Sequence, residues 1–572
     1  MRRFAVIAVF AVFAPVVFAT SVFAQAPTPK VTLSGLFDQV TSMGRNFYDG
    51  NFARNSDQEW YARTRFRPDF EFAVGRVKAV LGLEIDLMYG QAGANDGGFP
   101  GNVTGIPGAG SPLQPTLGTK VNTNGALDIN TDVGGMIEIK WIYTEFPLTG
   151  QDSLLPFIPV ETMARAGGQP FATMATYKLA TYAASDFAGF STVTTFTPNI
   201  RLNLGYVIVE DELAGANRGL PAVKTGRGED YALIVSPEYT PIKGLDLKPL
   251  FSWFHADGVT NINARRNLVN VRTPAQVGTP FGVLGNATSM GQPGGTAGSP
   301  AYHEDRYTIG MDARWRVGSF GLDPTIMYQW GRMDSLAFAS GAGASATGSK
   351  KFTSDLNAVF LDIIASYQLG PLLLEMRGDY STGNKARDNL AKGIRYFQPL
   401  TTDGIYYAGW AQIMALGVDY FNGVSMLGMG SNIGYDRYGR AQLGFRATYT
   451  VTPPLSFYAV ASPTWTAEKV DTDTNAGLLP GAVGLTVART TVSQNSWANG
   501  DSSYIGTEAN LGMTWRFSPN AAFDLAGGYL FAGDALDTTE CTNGAATCAP
   551  SLTRKKSAQD AYTLAARVRL AF

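Results

Sequence analysis

Few side chains of this sequence are spaced for bond-making chemistry. His255 and His303 stand at either end of one long loop stretch, with no Gly-x-Ser-x-Gly motif and no metal-type spacing around them. Catalysis needs a base, a nucleophile and an orienting group within hydrogen-bond reach, so the two histidines read as solvated loop-edge residues and no enzyme is expected. Cys541 and Cys548, the only two cysteines, form the run Cys-Thr-Asn-Gly-Ala-Ala-Thr-Cys. In an oxidising compartment that spacing points to a disulfide tying a loop tip, because a metal site needs further ligands and none is adjacent. Asp471-Thr472-Asp473-Thr474-Asn475 presents oxygens at positions one, three and five, as calcium loops do. Ala476 replaces the expected Gly and Ala482 the distal Glu, so Asp471, Asp473 and Asn475 stand as a calcium candidate against a plain acidic loop. No cofactor is expected.

The regularly spaced charges lie elsewhere. Around a two-residue turn at Val74-Gly75, antiparallel pairing sets Phe72 against Val77, Phe70 against Ala79, Phe66 against Leu83 and Trp60 against Tyr89. The alternate residues set Glu71 against Lys78, Arg65 against Glu84 and Arg63 against Asp86. Strand side chains alternate with period two, so this hairpin has one apolar face and one charged, wet face. Arg67 falls opposite Gly82 with no charge directly across. A second hairpin, turning at Gly318-Ser319, pairs Arg314 with Asp323 on its wet face, beside Arg316, and Tyr307 with Trp330 on its apolar face. A third, turning near Ile242-Lys243-Gly244, sets Tyr231 against Trp253. Three aromatic pairs at a similar distance from short turns suit an interfacial girdle, which a soluble sandwich has no reason to build.

Elements able to position these faces recur along the chain. Strands are predicted near 31 to 40, 58 to 72, 76 to 90, 132 to 146, 160 to 168, 189 to 196, 200 to 210, 230 to 240, 244 to 255, 304 to 317, 320 to 332, 355 to 369, 372 to 382, 438 to 451, 454 to 467, 503 to 517, 521 to 532 and 559 to 572. That count is eighteen, with sixteen to twenty open, because 160 to 168 and the stretch from 383 to 437 are the weakest. Tyr406 to Phe421 there reads as a loop helix or a further strand pair. Short turns alternate with long Gly, Asn, Ser and Thr-rich connections, so the fold class is an all-β transmembrane antiparallel barrel with short turns at one rim and long loops at the other.

The first 24 residues carry Arg2-Arg3, an apolar run from Phe4 to Phe18 and small residues up to Ala24, as in a secretory signal peptide. The segment 25–572 then forms a single barrel domain. No later run reaches 18 apolar residues, which excludes helical spans of the usual kind. Hydrophobic residues make up 45% of the chain and mean hydropathy is -0.03, which fits strands that are apolar on one face only. Lys and Arg number 45 against 47 Asp and Glu, a balance that argues against nucleic-acid binding.

The chain closes on Tyr562, Leu564, Ala566, Val568, Leu570 and Phe572 alternating with Arg567 and Arg569. This last strand resembles the terminal signature of Gram-negative outer-membrane barrels, and Val31-Thr32-Leu33-Ser34-Gly35-Leu36-Phe37-Asp38 resembles the opening strand of the porins. The resemblance implies periplasmic termini, short periplasmic turns and long external loops, integration into outer-membrane lipid and a homotrimer. It does not extend to the third loop, which has Asp186 but lacks the Pro-Glu-Phe-Gly-Gly motif.

The expected function is therefore passive diffusion of small hydrophilic solutes or ions, with a loop from 91 to 126, 169 to 188 or 257 to 303 narrowing the pore. The lining would include Arg63, Arg65, Arg67, Glu71, Lys78, Glu84, Asp86, Arg314, Arg316, Asp323, Arg377, Arg446, Arg567 and Arg569, setting the transverse field. Asp38 is the only inward charge of the first strand, whereas the last strand adds Arg567 and Arg569. That wall should be net positive, Arg67 its least neutralised member, and the pore weakly anion-preferring. The alternative is a structural or export barrel whose lumen holds a partner protein.

Overall fold

The computed structural model describes residues 27–46, 58–89, 136–170, 182, 186–211, 229–257, 301–337, 350–385, 388, 393–398, 400, 410–413, 438–470, 502–542 and 553–572. Residues 1–24, the 91 to 126 loop, residues 258–300 of the 257 to 303 stretch, the calcium candidate and Cys548 lie outside them. Cys541 ends a small hairpin strand, Thr538–Cys541, paired with Thr553–Lys556; its side chain is not among those described.

Eighteen long antiparallel strands close into one barrel. They are β1 Lys30–Arg45, β2 Gln58–Val74, β3 Val77–Tyr89, β4 Met136–Thr149, β5 Glu161–Pro170, β6 Asp186–Thr197, β7 Ile200–Asp211, β8 Glu229–Ile242, β9 Leu245–Asp257, β10 Ala301–Val317, β11 Phe320–Ala337, β12 Lys350–Leu369, β13 Leu372–Ser381, β14 Arg440–Thr452, β15 Leu455–Val470, β16 Ser502–Ser518, β17 Ala521–Ala532 and β18 Ala561–Ala571. Each pairs with the next, and β1 pairs with β18 from Leu36 opposite Ala571 to Arg45 opposite Tyr562. Closure leaves no strand edge unpaired, which is what a sheet needs in order to cross lipid. The weakly signalled strand near 160 to 168 is β5. The stretch from 383 to 437 contributes no barrel strand among its described residues, only the short segment Gly393–Ile394 running parallel to Asp355 and Leu356 of β12.

The opening hairpin turns one residue later than the sequence pattern suggests. Val74 closes the strands against Val77, and Gly75-Arg76 forms the turn. Gly75 has φ 60°, the left-handed first position of the turn type whose twist matches a hairpin, where a β-branched valine would be strained. Every cross-strand partner therefore moves by two: Phe72 faces Ala79, Arg65 faces Asp86, Arg63 faces Met88 and Tyr89 faces Ala62. A shift of two preserves the faces, so the apolar and charged sides stand as expected while the individual partners change.

Outward-facing residues are apolar and exposed around the whole wall, among them Ile139, Ile142, Phe251, Ile309, Ile326, Met376, Phe445 and Leu511. Toward the external end the aromatic rings form a continuous run: Tyr206 to Tyr231 at 5.7 Å, Tyr231 to Trp253 at 5.7 Å, Trp253 to Tyr307 at 6.3 Å and Tyr307 to Trp330 at 5.6 Å. Tyr231 and Trp253 meet diagonally, because the register sets Tyr231 against His255 and Trp253 against Leu233. A closed barrel with an apolar outer belt and an interfacial aromatic girdle is an integral membrane β-barrel.

Candidate functional site: the divided lumen

The interior has two unlike halves. On β7 to β12 the inward positions include Val207, Ala232, Ile234, Leu250, Phe254, Met327, Ala358 and Phe360, all buried. They are covered by Tyr182 of the third external connection and by Phe397 and Leu400 of the seventh, forming one apolar cluster inside the barrel. A wet face was expected along these strands. The correction has a visible sequence counterpart, since Ala232-Leu233-Ile234-Val235 is apolar at every position and not at alternate ones, as strands covered on both faces are.

Polar bonds hold this filling in place. The Tyr182 hydroxyl donates to Ser252 Oγ at 2.9 Å and accepts from Thr308 Oγ1 at 3.3 Å; burial pushes its pKa above the ordinary tyrosine value, so it remains a donor. The backbone N–H of Leu400 donates to the Tyr182 carbonyl at 2.7 Å. Gln329 Nε2 donates to the Gln398 carbonyl at 2.7 Å, Gln329 Oε1 accepts from the Gln398 N–H at 2.8 Å, and Arg306 Nη1 donates to Gln398 Oε1 at 2.6 Å. Arg306 also lies over the Phe254 ring, 4.6 Å from its centroid.

The same seventh connection reaches the other wall. Trp410 lies under the Arg446 guanidinium at 4.9 Å, and Gln412 Nε2 donates to the Tyr458 hydroxyl at 3.1 Å. The buried carboxylate of Glu508 on β16 accepts two consecutive backbone N–H groups, from Gln412 at 2.5 Å and Ile413 at 2.7 Å. Sequence reasoning proposed 169 to 188 as one constricting loop, and its Tyr182 does stand in the lumen. It did not propose the seventh connection; Ile394, Phe397, Leu400 and Trp410, apolar residues in an external loop with no strand period, were the available signal.

The charged half runs from β12 through the seam to β5, and a charged strip continues along β7 to β11 near their two-residue turns, where Arg316, Asp323, Arg314 and Lys248 stand. Glu84 is the hub of the charged half. Its carboxylate takes Arg65 Nη2 at 2.8 Å, Arg67 Nε at 2.6 Å and Lys140 Nζ at 3.3 Å. Arg67, expected to lack a charge across from it, is therefore bonded to Glu84, because the two-residue register shift brings them opposite. Arg63 is buried beside this cluster, and the Asp86 side chain lies outside those described. Lys78 bridges Glu71 at 3.4 Å and Glu145 at 3.2 Å, the first diagonally, since Glu71 faces Val80.

The remaining pairs follow the strand order. Arg377 holds Asp362 through Nε at 2.9 Å and Nη2 at 3.0 Å. Arg446 Nε holds Glu375 at 2.6 Å. Arg567 holds Asp524 Oδ2 at 3.0 and 2.8 Å, and Arg569 holds both oxygens of Asp38 at 2.6 and 2.5 Å. Asp323 is bound by Arg316 in place of the expected Arg314. Arg314 stands opposite Asp246 and lines a cavity of about 310 Å³ with Arg201, Glu238 and Lys248 at the periplasmic end. Arg67, Arg567 and Arg569 are thus each paired, Arg67 with the Glu84 carboxylate that the sequence register sets opposite Arg65.

Pairing does not make the accessible surface neutral. In most of these pairs the carboxylate sits against the wall and the cation reaches past it: side-chain exposure is 35% for Arg569 and 1% for Asp38, 44% for Arg316 and 8% for Asp323, 32% for Arg446 and 13% for Glu375. Short acidic side chains stay at the strand, while arginine buries its methylene stem and extends its head into water. Glu71 and Glu238, both close to periplasmic turns, reverse the order, as do two nearly buried pairs, Arg567 with Asp524 and Arg65 with Glu84.

No protein-family model and no curated protein matches the sequence. Among solved structures, the chain is similar to a BenF-like porin from Pseudomonas fluorescens Pf-5 at 10% identity and a TM-score of 0.43, covering 95% of this chain and 98% of that one. It is also similar to the outer membrane protein OprD from Pseudomonas aeruginosa at 11% identity and a TM-score of 0.41, covering 96% and 95%. For OccK11 (OpdR) from Pseudomonas aeruginosa the values are 10% and 0.39, covering 94% and 96%.

Proposed function

We propose that the protein is an outer-membrane diffusion channel for small hydrophilic solutes or ions, with a weak preference for anions. Residues 1–24 would direct export, and one barrel would follow. The solute path runs along the charged half of the lumen, since the other half is filled by the chain's own Tyr182, Phe397 and Leu400. The observation that carries the preference is the exposure order within the ion pairs. A permeating solute meets guanidinium and ammonium heads before it meets the carboxylates behind them, so the local potential is positive although the pairs are formally neutral. The reading does not require a partner protein in the lumen, the alternative role for such a barrel.

The test is single-channel recording of the purified protein in planar bilayers, with the reversal potential measured across a salt gradient. Discrete conductance steps and a reversal potential displaced toward the anion equilibrium value are expected, the displacement growing as salt is lowered and the Debye length lengthens past about 10 Å. A non-conducting barrel would favour the partner-filled alternative, and a cation-selective pore would refute the proposed preference. The homotrimer implied by the resemblance at the chain ends belongs to the same proposal, and a monomeric mass of the detergent-solubilised barrel by light scattering would remove it.

A further inference from the structure

Seven of the eight connections at the periplasmic end are two residues long, as between Thr197 and Ile200 or between Val317 and Phe320. The eighth, joining β4 to β5, occupies 150–160 and reads Gly-Gln-Asp-Ser-Leu-Leu-Pro-Phe-Ile-Pro-Val. It has a fixed shape. Leu154 and Leu155 fold back on the last residues of β4, their N–H groups donating to the carbonyls of Pro147 at 3.1 Å and Leu148 at 2.9 Å, and Leu155 bridges Thr149 in parallel. Ile158 N–H returns to Leu155 O at 3.2 Å, Gly150 N–H reaches Ile158 O at 2.9 Å, and Ser153 Oγ donates to Gly150 O at 2.6 Å. Arg76, from the neighbouring turn, clamps the base by bonding the Gln151 carbonyl at 2.8 Å and the Glu161 carboxylate.

On this frame the apolar side chains point away from the protein. Phe157 is 77% exposed and Leu154 61%, with Ile158 also exposed. Between Asp152 and Glu161 there is no charged residue. We propose that this connection is a membrane anchor, its Leu154, Phe157 and Ile158 inserted into the periplasmic leaflet of the bilayer; the proposal rests on the reading of the chain as a membrane barrel.

Two features favour lipid over water or protein as the medium. Backbone N–H groups that enter an apolar phase must be bonded internally or be absent. Here those of Leu154, Leu155 and Ile158 are bonded within the loop and its base, Pro156 and Pro159 have none, and within 154–159 only the Phe157 N–H has no partner among the described residues. The second feature is continuity with the lipid-facing belt. The turns on either side carry exposed apolar residues at the same level, Val74 and Val77 on one flank and Phe196 and Ile200 on the other. The loop lengthens that belt where the rest of the rim has only two-residue turns. Charged Asp152, Glu161 and Arg76 at its base would then lie at the headgroup level, as interfacial anchors require.

The test places a nitroxide at Phe157→Cys or Leu154→Cys in the full-length chain carrying Cys541→Ser and Cys548→Ser, reconstituted in phosphatidylethanolamine and phosphatidylglycerol vesicles. Collision rates with oxygen and with a water-soluble nickel chelate are compared with those at Ile326→Cys in the lipid belt and Ser319→Cys in a two-residue turn. Positions 157 and 154 are expected to share the high oxygen-to-nickel ratio of Ile326→Cys. A ratio matching Ser319→Cys overturns the anchor. Spectral broadening that vanishes on dilution with unlabelled protein also overturns it, in favour of contact with a second copy. If Ile326→Cys is itself nickel-accessible, the membrane-barrel reading fails, and the anchor with it.

Discussion

Arg569 grips Asp38 with two parallel hydrogen bonds, 2.6 and 2.5 Å long, across the seam where the last strand meets the first. The carboxylate is buried and the guanidinium is about one-third exposed to the lumen. Asp38→Asn removes the neutralising charge and leaves the cation facing the path. The reversal potential should move further toward anions, most at low salt, whereas Arg569→Gln should move it the other way. Asp38→Asn leaves only a partly exposed guanidinium and should cost about 1 kcal/mol or less, whereas Arg569→Gln leaves the buried Asp38 carboxylate without its cation and should cost about 3–5 kcal/mol, so heat-modifiable barrel is expected in full for the first variant and in reduced yield for the second. Identical reversal potentials in the two variants would count against a permeation path along the seam.

Glu84 serves three cations, Arg65, Arg67 and Lys140. Glu84→Gln should therefore shift selectivity toward anions more than Asp38→Asn does, and Arg67→Gln should shift it toward cations only modestly, because the carboxylate keeps two partners. Reversal potentials of the three variants in one salt gradient decide this. A larger effect of Arg67→Gln than of Glu84→Gln would contradict the observed hub.

The seventh connection is fixed to β10–β12 by many contacts but to β16 mainly through Glu508 accepting the Gln412 and Ile413 N–H groups. Hydrogen bonds to a charged acceptor contribute about 1.5–3 kcal/mol each. Glu508→Ala should release that side of the loop, raising single-channel conductance or adding open-state noise while the barrel remains folded. Unchanged traces would mean that Trp410 on Arg446 and Gln412 on Tyr458 suffice.

Deleting Phe572 should slow or lower the yield of folded barrel without altering the conductance of what does fold. Its N–H and carbonyl exchange bonds with Gly35 at 3.1 and 2.9 Å, and its ring stacks on Phe66 at 6.1 Å. The deletion removes the lowest rung of the seam that closes the cylinder. Comparison of folded and unfolded bands on unheated gels measures it; wild-type yield would show that the rung is dispensable.

The period-two alternation by itself determined that strands exist, where they run and which side of each faces lipid. Face is a local property, fixed by the pleat and insensitive to a register change of two, so the opening hairpin kept its apolar and charged sides although its turn is Gly75-Arg76. Strand number and closure followed from counting such segments between short and long connections. Aromatic pairs such as Tyr307 with Trp330 were legible for the same reason.

Only the tertiary structure decided which charge meets which, and which part of the lumen is filled. An arginine spans several residues of a neighbouring strand, so Glu84 collects Arg65, Arg67 and Lys140, and Asp323 takes Arg316 in place of Arg314. Alternation cannot report such diagonal reach. Nor can it place Phe397, Leu400 and Tyr182 against Phe254 and Phe360, because external connections obey no period and their docking depends on the shape of a wall assembled from β7 to β12. The same holds for the exposure order of Arg569 and Asp38: side-chain length is written in the sequence, but only closure puts both residues on one inner wall, with the longer one toward the solute.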